Sequence, residues 1–167
     1  MQVNEHQVLS FVSHLQKERR YSRHTVEAYK FELNRFNKKI KKDFSEVSTD
    51  DVKDFVLFLR AKNLTTKSIH RAISALRSFF QYLKNQGLLG QNPASHVQLP
   101  KHTQKLPAVL DADQTAKLLE FVPKNGIEFR DKAILELFYG CGVRLTELVT
   151  LDIEDVDLVS GYARVVG

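Results

Sequence analysis

Residues 65–87 read TTKSIHRAISALRSFFQYLKNQG. Within them Ile69, Ala72, Ile73, Leu76, Phe80 and Leu83 recur at intervals of three and four, the spacing that lines one face of an α-helix. Gly87 follows the last of these and is a natural stop, because glycine takes the left-handed conformation that closes helices. Most of the stability of such a helix in water comes from burying its apolar stripe, so the rest of the chain must supply partners for it.

Three preceding segments do. Val8, Leu9, Phe11, Val12 and Leu15 fit one helix, and Val26, Tyr29, Leu33, Phe36 and Ile40 fit a second that begins near Ser22. A third opens at "STDDVKDFVLFL", where Ser48 and Asp51 have the spacing of a capping box ahead of Val52, Phe55, Val56 and Leu59. Four amphipathic helices with short connections predict a small bundle over residues 1–90.

The side of residues 65–87 opposite the stripe carries Thr66, Lys67, His70, Arg71, Ser74, Arg77, Ser78 and Gln81. Each can hydrogen-bond to a phosphate or a base edge, and none is acidic. No carboxylate occurs between Asp54 and Asp111, whereas Arg60, Lys62, Lys67, Arg71, Arg77, Lys84, Lys101 and Lys105 all fall there. Residues 1–105 hold 19 Lys and Arg against 9 Asp and Glu; residues 106–167 hold 6 against 11. A solvated surface ordinarily mixes both signs, so an acid-free basic block points to a polyanion, most simply duplex DNA. The second helix offers a less pure set in Arg23, His24, Glu27, Lys30 and Asn34. Two ordinary solvated faces would also explain these residues. If the fourth helix meets DNA, alanine at Arg71 or Arg77 is expected to weaken binding and spare stability, since both lie away from the stripe.

Downstream, "QNPASHVQLPKHTQKLPAVL" holds three of the four prolines and no sustained apolar period. Residues 91–107 therefore read as an extended interdomain linker, with Lys101 a candidate DNA contact. Asp111 and Gln114 form another cap-like start. "EFRDKAILELFYGCG" reads as a buried apolar helix closed by Gly140 and Gly142, with Cys141 a small packed residue and "RLTELVTL" a short helix after it. "DIEDVDLVSG" and "YARVVG" read as two strands about a Ser160–Gly161 turn. A lone hairpin is marginal in water and exposes an edge, so residues 108–167 are expected to be part of a larger domain.

The chemistry is narrowed by what is missing. A single cysteine allows no internal disulfide and suits a reducing compartment. No apolar run reaches the roughly 20 residues of a membrane span, and "MQVNEHQVLSF" lacks the layout of a secretion signal, so the expected location is the cytoplasm, away from membranes. The six histidines show no metal-ligand spacing, no phosphate-binding glycine loop is present, and no Ser or Cys sits in a nucleophile elbow. Arg144 stands apart. It follows the "GCG" turn, where small residues allow close backbone approach, and its planar fork suits a bidentate grip on phosphate. A structural arginine at a helix start is the alternative.

"GCGVRLTELVTLDIEDVDL" resembles the G-x-G-x-R-x-x-E-L segment of the tyrosine recombinases (the phage-integrase family), most closely the Xer-type members. The likeness runs the length of the chain. "YSRHTVEAYKFELNRF" is similar to the family's S-x-x-T-x-x-x-Y-x-x-x-L-x-x-F helix, and "SIHRAISALRSFFQYL" with the following "NP" and "LPKHTQKLPAVL" to its fourth helix and linker. The resemblance implies a mainly α chain: a SAM-like four-helix core-binding bundle, then the opening of an α/β catalytic domain. It implies a C-shaped clamp on DNA in which a tyrosine attacks the scissile phosphate and forms a 3′-phosphotyrosine, without metal, ATP or other cofactor. Arg144 matches the first arginine on the non-bridging oxygens, and Glu147 the acidic residue supporting it. Partner recombinase subunits are implied as well, since family members usually act as tetramers on two duplexes. The family's hairpin lysine, His-x-x-Arg pair and tyrosine nucleophile have no counterpart here. Tyr139, on the apolar helix, and Tyr162, on a strand, are in the wrong context to substitute. The chain by itself is thus expected to bind DNA without cleaving it. A stand-alone helical DNA-binding module or regulator is the alternative expectation.

Overall fold

The structure is a computed structural model and describes residues 2–99 and 109–165. In the first half, the helices are α1 (Gln2–Lys17), α2 (Arg23–Ile40), α3 (Thr49–Ala61) and α4 (Thr66–Asn85), with a 3-10 turn at Phe44–Glu46. In the second are α5 (Ala112–Leu119), α6 (Gly126–Cys141) and α7 (Leu145–Val149). A 3-10 turn at Ile153–Asp155 and two short strands, β1 (Val156–Asp157) and β2 (Tyr162–Ala163), follow. The chain is mainly α, and its described residues hold one small antiparallel sheet. It divides into two compact units, Met1–Gln104 and Lys105–Gly167.

Local chemistry sets the helix ends. The Ser22 hydroxyl accepts the Thr25 amide at 3.3 Å and starts α2. Ser48 and Asp51 form the reciprocal box that begins α3, with bonds of 3.2 and 2.9 Å. Lys42 adds an ion pair to Asp51 at 2.7 Å, and these donors hold the Asp51 carboxyl below the usual carboxylate range, the lysine foremost. At the far end of α4, Gly87 has a positive φ, its amide reaches the Lys84 carbonyl, and the Leu88 amide reaches the Leu83 carbonyl. That pair of bonds satisfies carbonyls the helix would otherwise leave open.

All four helices bury one face in a common core. Ile69, Ala72, Ile73, Leu76, Phe80 and Leu83 are all buried, as the stripe requires, and Phe79 joins them. Phe36 sits at the centre: its ring meets Phe55 edge-on at 5.0 Å and Phe80 at 6.0 Å, and it stacks with Phe44 at 6.4 Å. Asn4 is a buried polar exception. Its amide nitrogen donates to Asn37 Oδ1 and the Lys42 carbonyl, and its oxygen accepts the Phe44 amide. With every hydrogen bond made, that side chain ties the start of α1 to the loop after α2.

The expected linker is corrected over its first part. Pro93, Ala94 and Val97 are buried against the bundle, and Leu99 packs at its margin. The Asn92 side chain donates to the Arg77 carbonyl at 3.0 Å and accepts the Ala94 amide at 3.0 Å, which folds the segment into a turn. Proline density suggested extension, but here Pro93 is part of an apolar strap on α4. Residues 100–108, with Lys101 and Lys105, lie outside the described residues.

The second unit departs from expectation in one respect. The sequence predicts a buried α6, yet none of its residues is buried, Cys141 is exposed, and Tyr139 is 67% exposed. An apolar run requires a cover, and the described part of this unit is too small to provide one. Local features follow the reading. Asp111 and Gln114 make a reciprocal cap on α5, and Gly142, with φ of 62°, ends α6. β1 and β2 pair antiparallel through Val156–Ala163 and Asp157–Tyr162 about a turn in which Gly161 has a positive φ.

Candidate nucleic-acid interface and phosphate site

On α4, Lys67, Arg71, Ser74 and Gln81 are exposed, while Thr66, His70, Arg77 and Ser78 are half-buried. None of them is acidic, so this side of α4 keeps the electrostatics read from the sequence. Two arginines, however, do more than face solvent. Arg77 turns back along the helix: Nε donates to the Ala94 carbonyl at 3.0 Å and Nη2 to the Val97 carbonyl at 2.7 Å. Arg71 donates through Nη2 to Oε1 of the fully buried Glu32 at 3.3 Å. The expectation that alanine at either position spares stability is therefore corrected. Removing Arg77 leaves two carbonyls without their charged donor, and removing Arg71 strips one partner from a buried carboxylate.

Arg77→Ala is expected to destabilise the chain by about 1.5–3 kcal/mol, the range for hydrogen bonds to charged groups. Thermal unfolding followed by circular dichroism would read this as a lowered Tm. An unchanged Tm would mean the strap is held without the arginine.

On α2, Arg23 pairs with Glu27 at 2.8 Å across one turn, both exposed, which raises the guanidinium's pKa and lowers the carboxyl's. His24 is exposed. Lys30 and Asn34 line a groove of about 810 Å³ between α1 and α2, together with Asn4, Val8, Leu9 and Lys38. Residues two apart on a helix lie on roughly opposite sides. The α2 candidates Lys30 and Asn34 thus face away from Glu32, the residue that meets α4. The structure splits the α2 set that the sequence grouped together.

Arg144 occupies the position just before α7, with φ of −75° and ψ of 153°. The left-handed Gly142 turns the chain out of α6 two residues earlier. The Arg144 amide donates to Glu147 Oε2 at 2.8 Å and its Nη1 to Glu147 Oε1 at 2.6 Å. One carboxylate therefore caps the helix and grips the guanidinium. The Arg144 side chain is 80% exposed, more than Val143 or Leu148, while that of Glu147 is only 10% exposed. The result is an open, oriented cation on a covered anion, an arrangement suited to receiving phosphate oxygens.

The Arg144 amide, and then its side chain, hold the Glu147 carboxyl below its ordinary 4.5. A lowered pKa in the folded state means the cap contributes fully above the unfolded carboxylate's pKa and is lost as pH falls through the folded value. The Arg144 amide resonance is expected to titrate with a midpoint below pH 4.5, and Glu147→Gln to abolish that titration. A midpoint at or above 4.5 would show that the pair does not form in solution.

Sequence reasoning missed Glu32 and Arg35. Arg35 contacts Glu32 Oε2 through Nη2 and lies over the rings of Phe31 and Phe55. A glutamate beside an apolar stripe carries no signal until the facing helix is in place. Among the described residues, no helix is long and apolar enough to cross a membrane.

Two family models match the chain: the phage integrase N-terminal SAM-like domain over residues 8–87, and the phage integrase family over residues 108–167. Tyrosine recombinase XerC of Shewanella amazonensis is 39% identical over 158 residues, covering 94% of this chain and 53% of the relative. Tyrosine recombinase XerC of Pseudomonas aeruginosa is 39% identical over 163 residues, covering 95% and 54%. The chain thus spans about half the length of these curated relatives. The Tn1549 transposon integrase, solved in complex with transposon right end DNA, superposes with a TM-score of 0.69 at 18% identity, over 90% of this chain and 49% of that one. At that identity the likeness is one of fold. Both units thus match the same family in the same order, and the chain belongs to the phage integrase family, the tyrosine recombinases.

Proposed function

We propose that this chain supplies the DNA-gripping half and the first catalytic arginine of a site-specific recombinase. In that reading the first unit lays the acid-free side of α4 against duplex DNA, with Lys67 on a phosphate and Ser74 near base edges. In the second unit, Arg144 donates to the non-bridging oxygens of the scissile phosphate. Glu147 holds its guanidinium in plane, so little reorganisation is needed as negative charge develops. A tyrosine contributed from elsewhere in the intact enzyme attacks the phosphorus and displaces the 5′-oxygen. The phosphotyrosine keeps the bond energy, so neither metal nor nucleotide is required. Other recombinase subunits are the natural protein partners, and the site of action is chromosomal or mobile DNA in the cytoplasm.

The observation that carries this reading is the Arg144–Glu147 unit, an exposed guanidinium fixed by a nearly covered carboxylate just beyond a glycine turn. A nicked suicide duplex, which traps phosphotyrosine intermediates, tests it. The chain alone is expected to retard the duplex on a native gel and give no covalent band after denaturation. A protease-sensitive shifted band would place a nucleophile within these residues and overturn the assignment, and failure to retard the duplex would remove the DNA-binding half.

A further inference from the structure

The fully buried Glu32 has no place in the reading above, yet it joins the two helices nearest the proposed interface. Its Oε1 meets Arg71 of α4 at 3.3 Å and its Oε2 meets Arg35 of α2. A carboxylate cut off from water is costly unless paired, and well-packed apolar residues often replace a buried ion pair without loss of stability. What such a pair provides that apolar packing does not is orientation. Arg71 is the member whose orientation matters outward: its side chain is 53% exposed, on the acid-free side of α4.

We infer that Glu32 is a positioning residue that presents Arg71 as a reader of a base edge, with guanine the base it fits. This rests on the proposed DNA-binding role of α4 and adds to it a division of labour along the helix. Phosphate affinity comes from releasing counterions, which requires uncompensated positive charge. Arg71 has part of its charge answered from behind by Glu32, so it gains less from a phosphate than an exposed lysine does. A guanidinium has five donors in one plane, and a single Nη2 contact to Glu32 leaves the others for a partner. That fork matches O6 and N7 of guanine in the major groove. Fixing the fork in advance also spares the loss of side-chain freedom that a mobile arginine suffers on binding. Lys67, one turn earlier and exposed, is a point charge on a flexible stem and suits the phosphate role.

The test enriches a randomised duplex pool on the immobilised 167-residue chain, sequences the bound fraction, and measures binding of a recovered duplex against salt. The wild type is expected to select guanine at a defined position. Arg71→Lys and Glu32→Gln are expected to lose that preference by about ten- to a hundred-fold. Both should leave the slope of log K against log salt essentially unchanged. Lys67→Ala is expected to keep the preference and flatten the slope by about 0.9. If Glu32→Gln fails to fold, Arg71→Lys, which retains a cation for Glu32, still decides whether Arg71 reads a base. The positioning role is then decided on the wild type: 15N relaxation of the Arg71 Nε–Hε group without DNA should show it nearly as ordered as the α4 backbone, and a freely mobile side chain would overturn that role.

Unaltered selection by Arg71→Lys would overturn the reader, and wild-type selection by a folded Glu32→Gln protein would overturn the positioning. Loss of about 0.9 from the slope in Arg71→Ala with preference intact would make Arg71 a phosphate contact instead. Wild-type binding with no preference anywhere would overturn this inference and leave the DNA-binding role standing. No binding to any duplex would remove both.

Discussion

Alanine at position 144 is expected to slow strand cleavage by roughly 100- to 1,000-fold in a full-length recombinase that contains these residues. That is the cost of removing one preorganised donor from a developing oxyanion, on the order of 3–4 kcal/mol. The Arg144 guanidinium is open to solvent and held by Glu147, its acceptor among the described residues. Its loss should therefore fall on chemistry and leave duplex binding by the first unit intact. Covalent adduct on a nicked suicide duplex would read the first effect, and gel retardation the second. Glu147→Gln should give a smaller loss, because the amide can still accept from the arginine but no longer neutralises it. Normal cleavage by the Arg144→Ala protein would reduce the residue to a cap on α7, the bland alternative that sequence alone left open.

The other large effect lies in the first unit. Phe36→Ala is expected to cost about 3–5 kcal/mol, the range for truncating a buried aromatic. Its ring is fully buried and shares contacts with Phe44, Phe55 and Phe80, which come from three separate elements. Collapse around the vacancy is resisted on every side, so the upper part of the range applies. Urea denaturation of the 167-residue chain would measure it, and a loss under about 1 kcal/mol would mean the aromatic cluster is loosely packed. Most small domains have only 5–15 kcal/mol to lose, so this one substitution should bring the bundle near its unfolding threshold at ordinary temperature.

What could be read in advance, and what could not, separates by range along the chain. The α4 stripe, the Ser48–Asp51 and Asp111–Gln114 boxes and the Gly87 and Gly142 stops are local, set by residues within a few positions of each other. Phe44 escaped because it lies on a 3-10 turn between helices, where no period marks an inward side chain. Ala94 and Val97 escaped because prolines in the sequence signal extension, whereas the Asn92 side chain folds this segment into a turn against α4. Arg71 and Arg77 lie away from the apolar stripe, as their spacing predicts, but their contacts to Glu32 and to the Ala94 and Val97 carbonyls carry no sequence signal. A long side chain leaving an outward position can bend back to a carbonyl or a neighbouring helix, and only the packed structure shows which. The apolar composition of α6 was legible, but not its exposure: sequence shows that a face needs covering and does not say what covers it.

For the proposed interface, charge is legible in the sequence, and the structure adds the contacts each basic residue makes within the chain. Of the basic residues grouped on α4, Arg77 holds the strap and Arg71 answers a buried carboxylate, which leaves Lys67 as the proposed phosphate contact, exposed to solvent. On α2, Arg23 is already paired with Glu27, and Lys30 stands with Lys38 in the α1–α2 groove. The phosphate-neutralising residues should accordingly be few, and lysines more than arginines.

The measurement that bears most directly on a DNA-gripping first unit is the affinity of the 167-residue chain for a fluorescein-labelled duplex, followed by anisotropy from low to moderate salt. Log K should fall linearly with log salt, with a slope near −0.9 for each phosphate neutralised and a total of roughly −2 to −5. Lys67→Ala should reduce its magnitude by about 0.9, and Lys30→Ala, in the α1–α2 groove, should leave it unchanged. Affinity that does not change with salt, or no binding at the lowest salt, would contradict the assignment of this unit to DNA.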